Sequence, residues 1–304
     1  MSPAVQVTTV VLLALFWALN WPMMKIGLTV LEPWTFRATL VFIGGAGCLL
    51  MARAFGQSIA ISRADLKPLL WLTLFQGVLW NAASGFGIAW VDAGRASVLA
   101  FTMPIWATLL SILFLGERVT LRRILGLALG MGAMVLLLWP ALAAVGQELA
   151  GGLLMLSGAI CWAIATIIVK AVRWDMGVLA LSGWQFFLAS GPLLAAAFLL
   201  GEPATLLDLD WGTGAVFAYS ALIPMIFCQA VWFTVVQRLP TSLASTGTLL
   251  VPPLGVLLSA LILGEAVGVL EVLALVLAVS ALLMILPGFN WRATLHPPQA
   301  SRPE

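Results

Sequence analysis

One apolar stretch occurs twice in this chain of 304 residues. Residues 96–117 read ASVLAFTMPIWATLLSILFLGE, and residues 244–265, 148 positions later, read ASTGTLLVPPLGVLLSALILGE. Ten of the twenty-two aligned positions are identical, among them the proline at 104 and 252 and the final Gly-Glu pair. A repeat of this length inside one chain favours an architecture built from two similar halves.

Both copies are long enough to cross a lipid bilayer, and eight further segments are as well. A spanning helix needs about 20 mostly apolar residues. The chain is 62% hydrophobic and 9% charged, and its mean hydropathy is +1.12. Soluble domains are about a quarter charged, so we predict an all-α polytopic membrane protein with ten transmembrane helices. The predicted spans are 5–26, 34–53, 67–90, 95–116, 122–140, 150–171, 177–200, 212–237, 242–263 and 267–287.

A second matching pair extends the repeat to whole halves of the chain. Trp17 and Lys25 are eight residues apart, as are Trp162 and Lys170, and Trp-Ala occurs at both places. Spans 1–5 therefore correspond to spans 6–10, and because five is odd the two halves cross the membrane in opposite senses. Inverted repeats of this kind build alternating-access transporters with a substrate site near mid-membrane. We divide the chain into a first repeat at 1–145, a second repeat at 146–290 and a disordered cytoplasmic tail at 291–304.

The basic residues predict the orientation. With the N-terminus inside, eleven of the 14 Lys and Arg residues lie on the cytoplasmic side, and Lys25, Arg37 and Arg95 lie outside. Cytoplasmic loops carry an excess of basic residues, so we expect a multi-pass protein of the bacterial inner membrane with both termini cytoplasmic. The expected partners are a small-molecule substrate and the lipid bilayer, with no nucleic acid. The oligomeric state is open, and a monomer is compatible with the sequence.

Amides, hydroxyls and indoles recur at helical spacing inside several spans. Unpaired polar groups in hydrocarbon cost about 2–7 kcal/mol each, so these side chains must face protein or water. A substrate cavity is one interpretation, and interhelical packing is the other. The cavity residues that we predict are Trp17, Asn20, Trp21, Gln76, Trp80, Asn81, Ser84, Thr102, Met103, Trp106, Trp162, Thr166, Trp184, Gln185 and Gln229.

Two prolines and two glutamates mark the repeated stretch. Pro104 and Pro252 each remove a backbone donor inside a span, so we expect a kink at both, which serves either as a gating hinge or as a static bend. Pro253 favours a further break in span 9. Glu117 and Glu265 precede spans 5 and 10, where a carboxylate stabilises the helix N-terminus. A proton-coupling role is the alternative for these two carboxylates.

The chain offers no pattern of a catalytic or metal centre. Its three cysteines lie inside apolar segments without paired spacing, and its one histidine, His296, lies in the tail. There is no Walker A loop and no carboxylate cluster within the spans. We therefore expect neither an enzyme nor a cofactor-binding or metal-binding protein.

The chain resembles the EamA family of the drug/metabolite transporter superfamily. The resemblance covers nearly the whole length and rests on ten short spans in a five-plus-five repeat, the start FWALNWPMMK at 16–25, and the paired A-S…P…GE stretches. It implies a basket-like fold with a central cavity and export of small metabolites. The Trp-rich interior is similar to amino-acid exporters of the YddG kind, which implies aromatic and other amino acids as substrates. A non-transporting membrane scaffold or lipid-handling protein is the alternative, and proton antiport and facilitated diffusion both remain open.

Overall fold

The computed structural model describes residues 3–115, 120–144, 146–232 and 241–285, and all of its regular elements there are helical. Glu117 and the tail at 291–304 lie outside the described residues. The helices are α1 (Pro3–Val30), α2 (Pro33–Ala54), α3 (Arg63–Leu72), α4 (Trp80–Trp90), α5 (Ala93–Ala100), α6 (Met103–Leu115), α7 (Leu121–Ala144), α8 (Gln147–Ala171), α9 (Val178–Leu200), α10 (Trp211–Leu222), α11 (228–232), α12 (Thr241–Leu263) and α13 (Val269–Ile285).

Seven helices in this part of the chain are long and apolar enough to cross a membrane. They coincide with the predicted spans 1, 2, 4, 5, 6, 7 and 8, and shorter apolar helices at Leu250–Leu263 and Val269–Met284 fall within spans 9 and 10. Span 3 corresponds to α3 and α4. The all-α membrane fold expected from the apolar segments is confirmed.

The connections between the helices are short, and polar side chains cap the helices that follow them. The Glu32 carboxylate accepts hydrogen bonds from the backbone N–H groups of Trp34 and Thr35 at the start of α2. Asp210 accepts from Thr213 N at 2.7 Å at the start of α10, and this hydrogen bond lowers the pKa of the Asp210 carboxyl. Each cap satisfies backbone donors that have no partner within the helix.

Helix packing follows the repeat. Helix α2 packs against α9 and α7 against α13, so equivalent helices of the two halves contact each other. Helix α1 packs against α12, and its counterpart α8 packs against α5 and α6. Between α2 and α9 the backbones approach closely, since a Cβ atom at Gly183 would lie 2.9 Å from Leu49 N and one at Gly45 would overlap Phe187 N. The bundle is therefore assembled from contacts that occur in pairs.

Two π-helical segments also occur in matching places. Thr73–Leu79 joins α3 to α4, and Ile223–Phe227 joins α10 to α11. The repeat shift of 148 residues carries 73–79 onto 221–227, which contains the second segment. A π segment inserts an extra residue into a helix and is frequent at functional sites.

The proline-containing spans differ from each other, and one expectation was wrong. In span 4 the helix is interrupted at Phe101–Thr102, immediately before Pro104, which lies in the first turn of α6. Proline suits a first turn because its missing N–H has no partner there. The expected break in span 9 is absent, since α12 continues as a helix through Pro252 and Pro253. The two halves thus share a sequence pattern and differ in local conformation.

Candidate functional site

An indole pair joins the two halves near the middle of the bundle. Trp80 in α4 and Trp162 in α8 have ring centroids 5.0 Å apart in an edge-to-face arrangement. Gly158 makes room for this pair, because a Cβ atom there would lie 3.0 Å from Trp80 Cε3. Aromatic pairs prefer this geometry, and indoles offer apolar faces together with one polar N–H.

The polar face of α1 divides between two environments. Trp17 packs against Trp232 in α11, with centroids 5.6 Å apart. Asn20 Oδ1 is buried without a hydrogen-bond partner among the described residues. Trp21 lies instead in the main apolar core with Met24 and is 6% exposed. Trp17 and Asn20 thus retain groups that a ligand could contact, whereas Trp21 packs.

The predicted residues around the first π segment are mostly held by local hydrogen bonds. Asn81 Nδ2 donates to Gly77 O at 2.7 Å and to Gln76 O at 3.2 Å, both within the π segment. Ser84 Oγ donates to Trp80 O at 2.6 Å. Asn81 and Ser84 are buried, and the Gln76 side chain is half-buried.

The remaining predicted cavity residues come from four helical stretches. Thr102 Oγ1 donates to Leu99 O at 2.6 Å, and Thr166 Oγ1 donates to Trp162 O at 3.0 Å. Trp106 Nε1 is a buried donor without a partner in the part of the chain that the structure describes. Half-buried Met103 and Gln229 and buried Gln185 complete this set.

Trp184 lies apart from the indole pair. Its Nε1 donates to Ile59 O at 2.7 Å, in the segment between α2 and α3. The hydrogen bond therefore anchors α9 to the connection between α2 and α3.

Glu265 connects the halves at the opposite end. Its carboxylate accepts hydrogen bonds from Ala93 N at 2.6 Å and Gly94 N at 2.9 Å, at the N-terminus of α5. Capping of the following helix was the expectation, and it was wrong: Glu271 accepts from Gly268 N at 3.0 Å at the start of α13. The fold brings the N-terminus of α5, which is distant in the sequence, within hydrogen-bond distance of Glu265.

Further charged contacts surround this connection. Arg95 pairs with Glu148 and, at 2.9 Å, with Glu271. Lys25 Nζ donates to the carbonyls of Ile88, Ala89 and Val91 at 2.8–3.1 Å, at the C-terminus of α4. A cation there satisfies carbonyls that the helix leaves unpaired.

Helices α5 and α12 cross closely beneath these charges. A Cβ atom at Gly255 would lie 2.8 Å from Ser97 Oγ, and one at Gly94 would lie 3.3 Å from Val256 Cα. We refer to the contact formed by Gly94, Ser97, Gly255, Val256 and Glu265 as the α5–α12 closure. It joins the two halves at the end of the bundle that carries Glu265.

One buried charge was missed from the sequence. Arg37 was assigned to the outer boundary, but it lies inside α2 and is 5% exposed. Its Nη2 donates to Ser84 Oγ at 2.7 Å. The sequence did contain a sign of this burial. Arg37 lies four residues after Pro33, inside the predicted span 34–53, and charged residues within spans are rare and usually functional.

A bundle of apolar spans in two similar halves, with polar side chains between them, defines a multi-pass membrane protein. The chain belongs to the EamA-like transporter family, whose model matches residues 5–139 and again residues 149–286. This family consists of transporters and not enzymes, and the resemblance seen in the sequence is confirmed.

Two relatives and one solved structure illustrate the family. The uncharacterized transporter YoaV of Bacillus subtilis is 25% identical over 90% of this chain and 94% of its own length. A probable amino-acid metabolite efflux pump of Escherichia coli is 26% identical over 92% of this chain and 94% of that protein. A crystal structure with 16% identity covers 91% of this chain and 96% of the other, with a TM-score of 0.63. This structural likeness concerns the fold.

Proposed function

We propose that the protein exports amino acids, aromatic and other, or similar small metabolites across the bacterial inner membrane. The observation that carries this proposal is the Trp80–Trp162 pair, which offers indole surface between the two halves. The unpartnered Asn20 Oδ1 and Trp106 Nε1 add one acceptor and one donor. Indole faces with isolated hydrogen-bonding groups suit small molecules that have an apolar side chain and a polar end. The name of the Escherichia coli relative points to the same class of substrate.

Alternating access is the mechanism that we propose, with the substrate cavity between the repeats at 1–145 and 146–290. The α5–α12 closure supports it, because it joins the two halves at one end of the bundle through hydrogen bonds to Glu265 and close contacts of Gly94 and Gly255. In the proposed cycle the closure opens to release substrate outward, and both termini remain cytoplasmic.

The interruption of span 4 supports a hinge at this place. The α-helical hydrogen-bond pattern changes here, because Thr102 N donates to Leu99 O at 3.2 Å and Ile105 N donates to Thr102 O at 2.9 Å, both three residues back. Pro104 has no N–H to donate. A small change in backbone angles at 101–102 would tilt α5 relative to α6 without unfolding either helix. Pro252 is the equivalent position in α12 and is the bending point of the second repeat in this proposal.

Transport by the purified protein tests the substrate class. Proteoliposomes loaded with labelled L-phenylalanine, L-leucine, L-threonine or L-glutamine are compared with protein-free vesicles of the same lipid. We expect faster efflux of at least one amino acid from the vesicles that contain protein. Equal efflux for a broad panel of amino acids would remove amino acids from the proposal while leaving the fold and family unchanged.

Trp80→Ala tests whether the indole pair contacts substrate. The KM for the best transported amino acid is expected to rise about two- to tenfold, because an aromatic contact contributes about 0.5–1.5 kcal/mol beyond its buried area. The matched control is Trp71→Ala, which removes an indole that is 49% exposed on the same predicted span and should leave KM unchanged. A matching loss of folded protein and of transport would indicate that Trp80 only packs.

A further inference from the structure

The guanidinium of Arg37 is buried with most of its donors unused. Arginine carries five N–H donors, and the described partner of Arg37 is the Ser84 hydroxyl, at 2.7 Å from Nη2. Arg37 Nε is buried without a hydrogen-bond partner. The side chain lies along α4, since a Cβ atom at Gly85 would be 2.9 Å from Arg37 Cγ.

No carboxylate in the described part of the chain neutralises this charge. The ion pairs found there join Arg95 to Glu148 and Glu271. Glu32, the acidic residue closest to Arg37 in the sequence, accepts hydrogen bonds from the N-terminus of α2 instead. A buried charge without a partner is strongly unfavourable, and charges retained inside membrane spans mark the paths of substrates and ions.

The position of Arg37 relative to the indole pair indicates what it can bind. Ser84 accepts from Arg37 and donates to Trp80 O at 2.6 Å, so one hydroxyl links the guanidinium to the helix that carries the indole. Ser84 follows Trp80 by one helical turn, a rise of about 6 Å. This separation is comparable to that between the carboxylate and the side-chain ring of an aromatic amino acid.

We propose that Arg37 and Ser84 bind the α-carboxylate of the transported substrate, with its side chain against Trp80 and Trp162. The proposal rests on the proposed function and adds the group that recognises an acid. Guanidinium and carboxylate form charge-assisted, often bidentate hydrogen bonds, which would use the free donors of Arg37. The substrate carboxylate would also supply the negative charge that no described residue provides to Arg37. Amino acids are therefore preferred over their amides and amines.

Competition against a labelled substrate tests this preference. Proteoliposomes take up labelled L-leucine while unlabelled L-phenylalanine or L-phenylalaninamide is added outside. In the wild-type protein we expect the acid to compete at concentrations at least tenfold lower than the amide. In Arg37→Gln this ratio should fall to within about twofold, because glutamine keeps a donor but loses the charge. Arg53→Gln, which removes an exposed charge from the last turn of the same helix, should keep the wild-type ratio.

The possible results separate the two proposals. Leucine uptake with equal competition by acid and amide in the wild-type protein overturns the carboxylate site and leaves the transport function standing. An unchanged ratio in folded Arg37→Gln overturns it as well. No transport of labelled L-leucine, or of any other amino acid in the efflux panel, overturns the proposed substrates and this inference together. If Arg37→Gln fails to fold, Ser84→Ala retains the charge and should narrow the acid-to-amide ratio about threefold; an unchanged ratio in that variant counts against the site.

Discussion

Glu265, between α12 and α13, is the residue through which the second repeat holds the start of α5. Two backbone N–H groups donate to its carboxylate at 2.6 and 2.9 Å. Hydrogen bonds to a charged acceptor contribute about 1.5–3 kcal/mol each, more than neutral ones. In the proposed transport cycle, this single side chain therefore favours the closed form over the open form.

Glu265→Gln is expected to favour the open form. An amide keeps one acceptor oxygen but loses the negative charge, so we expect the open population to rise about three- to tenfold. The measurement uses a cysteine-free background carrying Ser97→Cys, because Ser97 is fully buried in the closed form. Labelling by a membrane-impermeant maleimide is followed from the outside of spheroplasts.

The control for this experiment is Glu202→Gln. Glu202 is an exposed carboxylate between α9 and α10 and lies at the same predicted end of the bundle. Its removal should leave the labelling rate of Ser97→Cys unchanged. If Glu265→Gln labels no faster than this control, the carboxylate does not hold the closure.

At the scale of helices, two kinds of close contact have different expected roles. Gly45 and Gly183 bring the backbones of α2 and α9 together in a contact between equivalent helices. Gly255 brings α12 against α5 near the Glu265 carboxylate and the ion pairs of Arg95. Helices α2 and α9 also share an apolar cluster that includes Val41, Phe186 and Leu193. The second contact also includes buried apolar residues such as Leu99 and Val256, and it differs from the first in the Glu265 carboxylate that joins its two helices. In the proposed transport cycle this second contact separates.

Gly255→Val tests the second contact. A valine there would overlap Ser97, so the closed form should become inaccessible and the transport rate should fall about tenfold, since overpacking costs about 1–3 kcal/mol. The matched control is Gly191→Val in α9, where a Cβ atom meets no atom within 4 Å. Transport rates are normalised to folded protein measured by size-exclusion chromatography. Equal rates in the two variants would contradict a closing role for α5 and α12.

At the scale of the whole molecule, the charge bias of the loops predicts both termini in the cytoplasm. A green fluorescent protein fused at the C-terminus should fluoresce, and alkaline phosphatase fused at the same place should be inactive. As a control, phosphatase fused after Leu209, before α10, should be active because that connection is predicted to lie outside. Phosphatase activity at the C-terminus would reverse the orientation and with it the direction assigned to the closure.

The sequence predicted the spans and the duplication because both are local properties of the chain. Apolar runs and matched stretches such as 96–117 and 244–265 need no knowledge of the tertiary structure. The partner of Glu265 and the burial of Arg37 depend on contacts between residues far apart in the chain, 172 positions for Glu265 and Ala93. The continuity of α12 was mispredicted because packing against α1 and α5 supports a helix that two adjacent prolines disfavour locally.

The two π segments have a consequence for comparing this chain with its relatives. One extra residue turns everything beyond it by about 100° around the helix axis. The direction of Trp80 and Ser84 therefore depends on the number of residues in Thr73–Leu79 as well as on their identity. A relative that lacks one residue in this segment would present the neighbouring side chain at the same place. Alignments at about 25% identity should accordingly be anchored separately on either side of each π segment before cavity residues are matched.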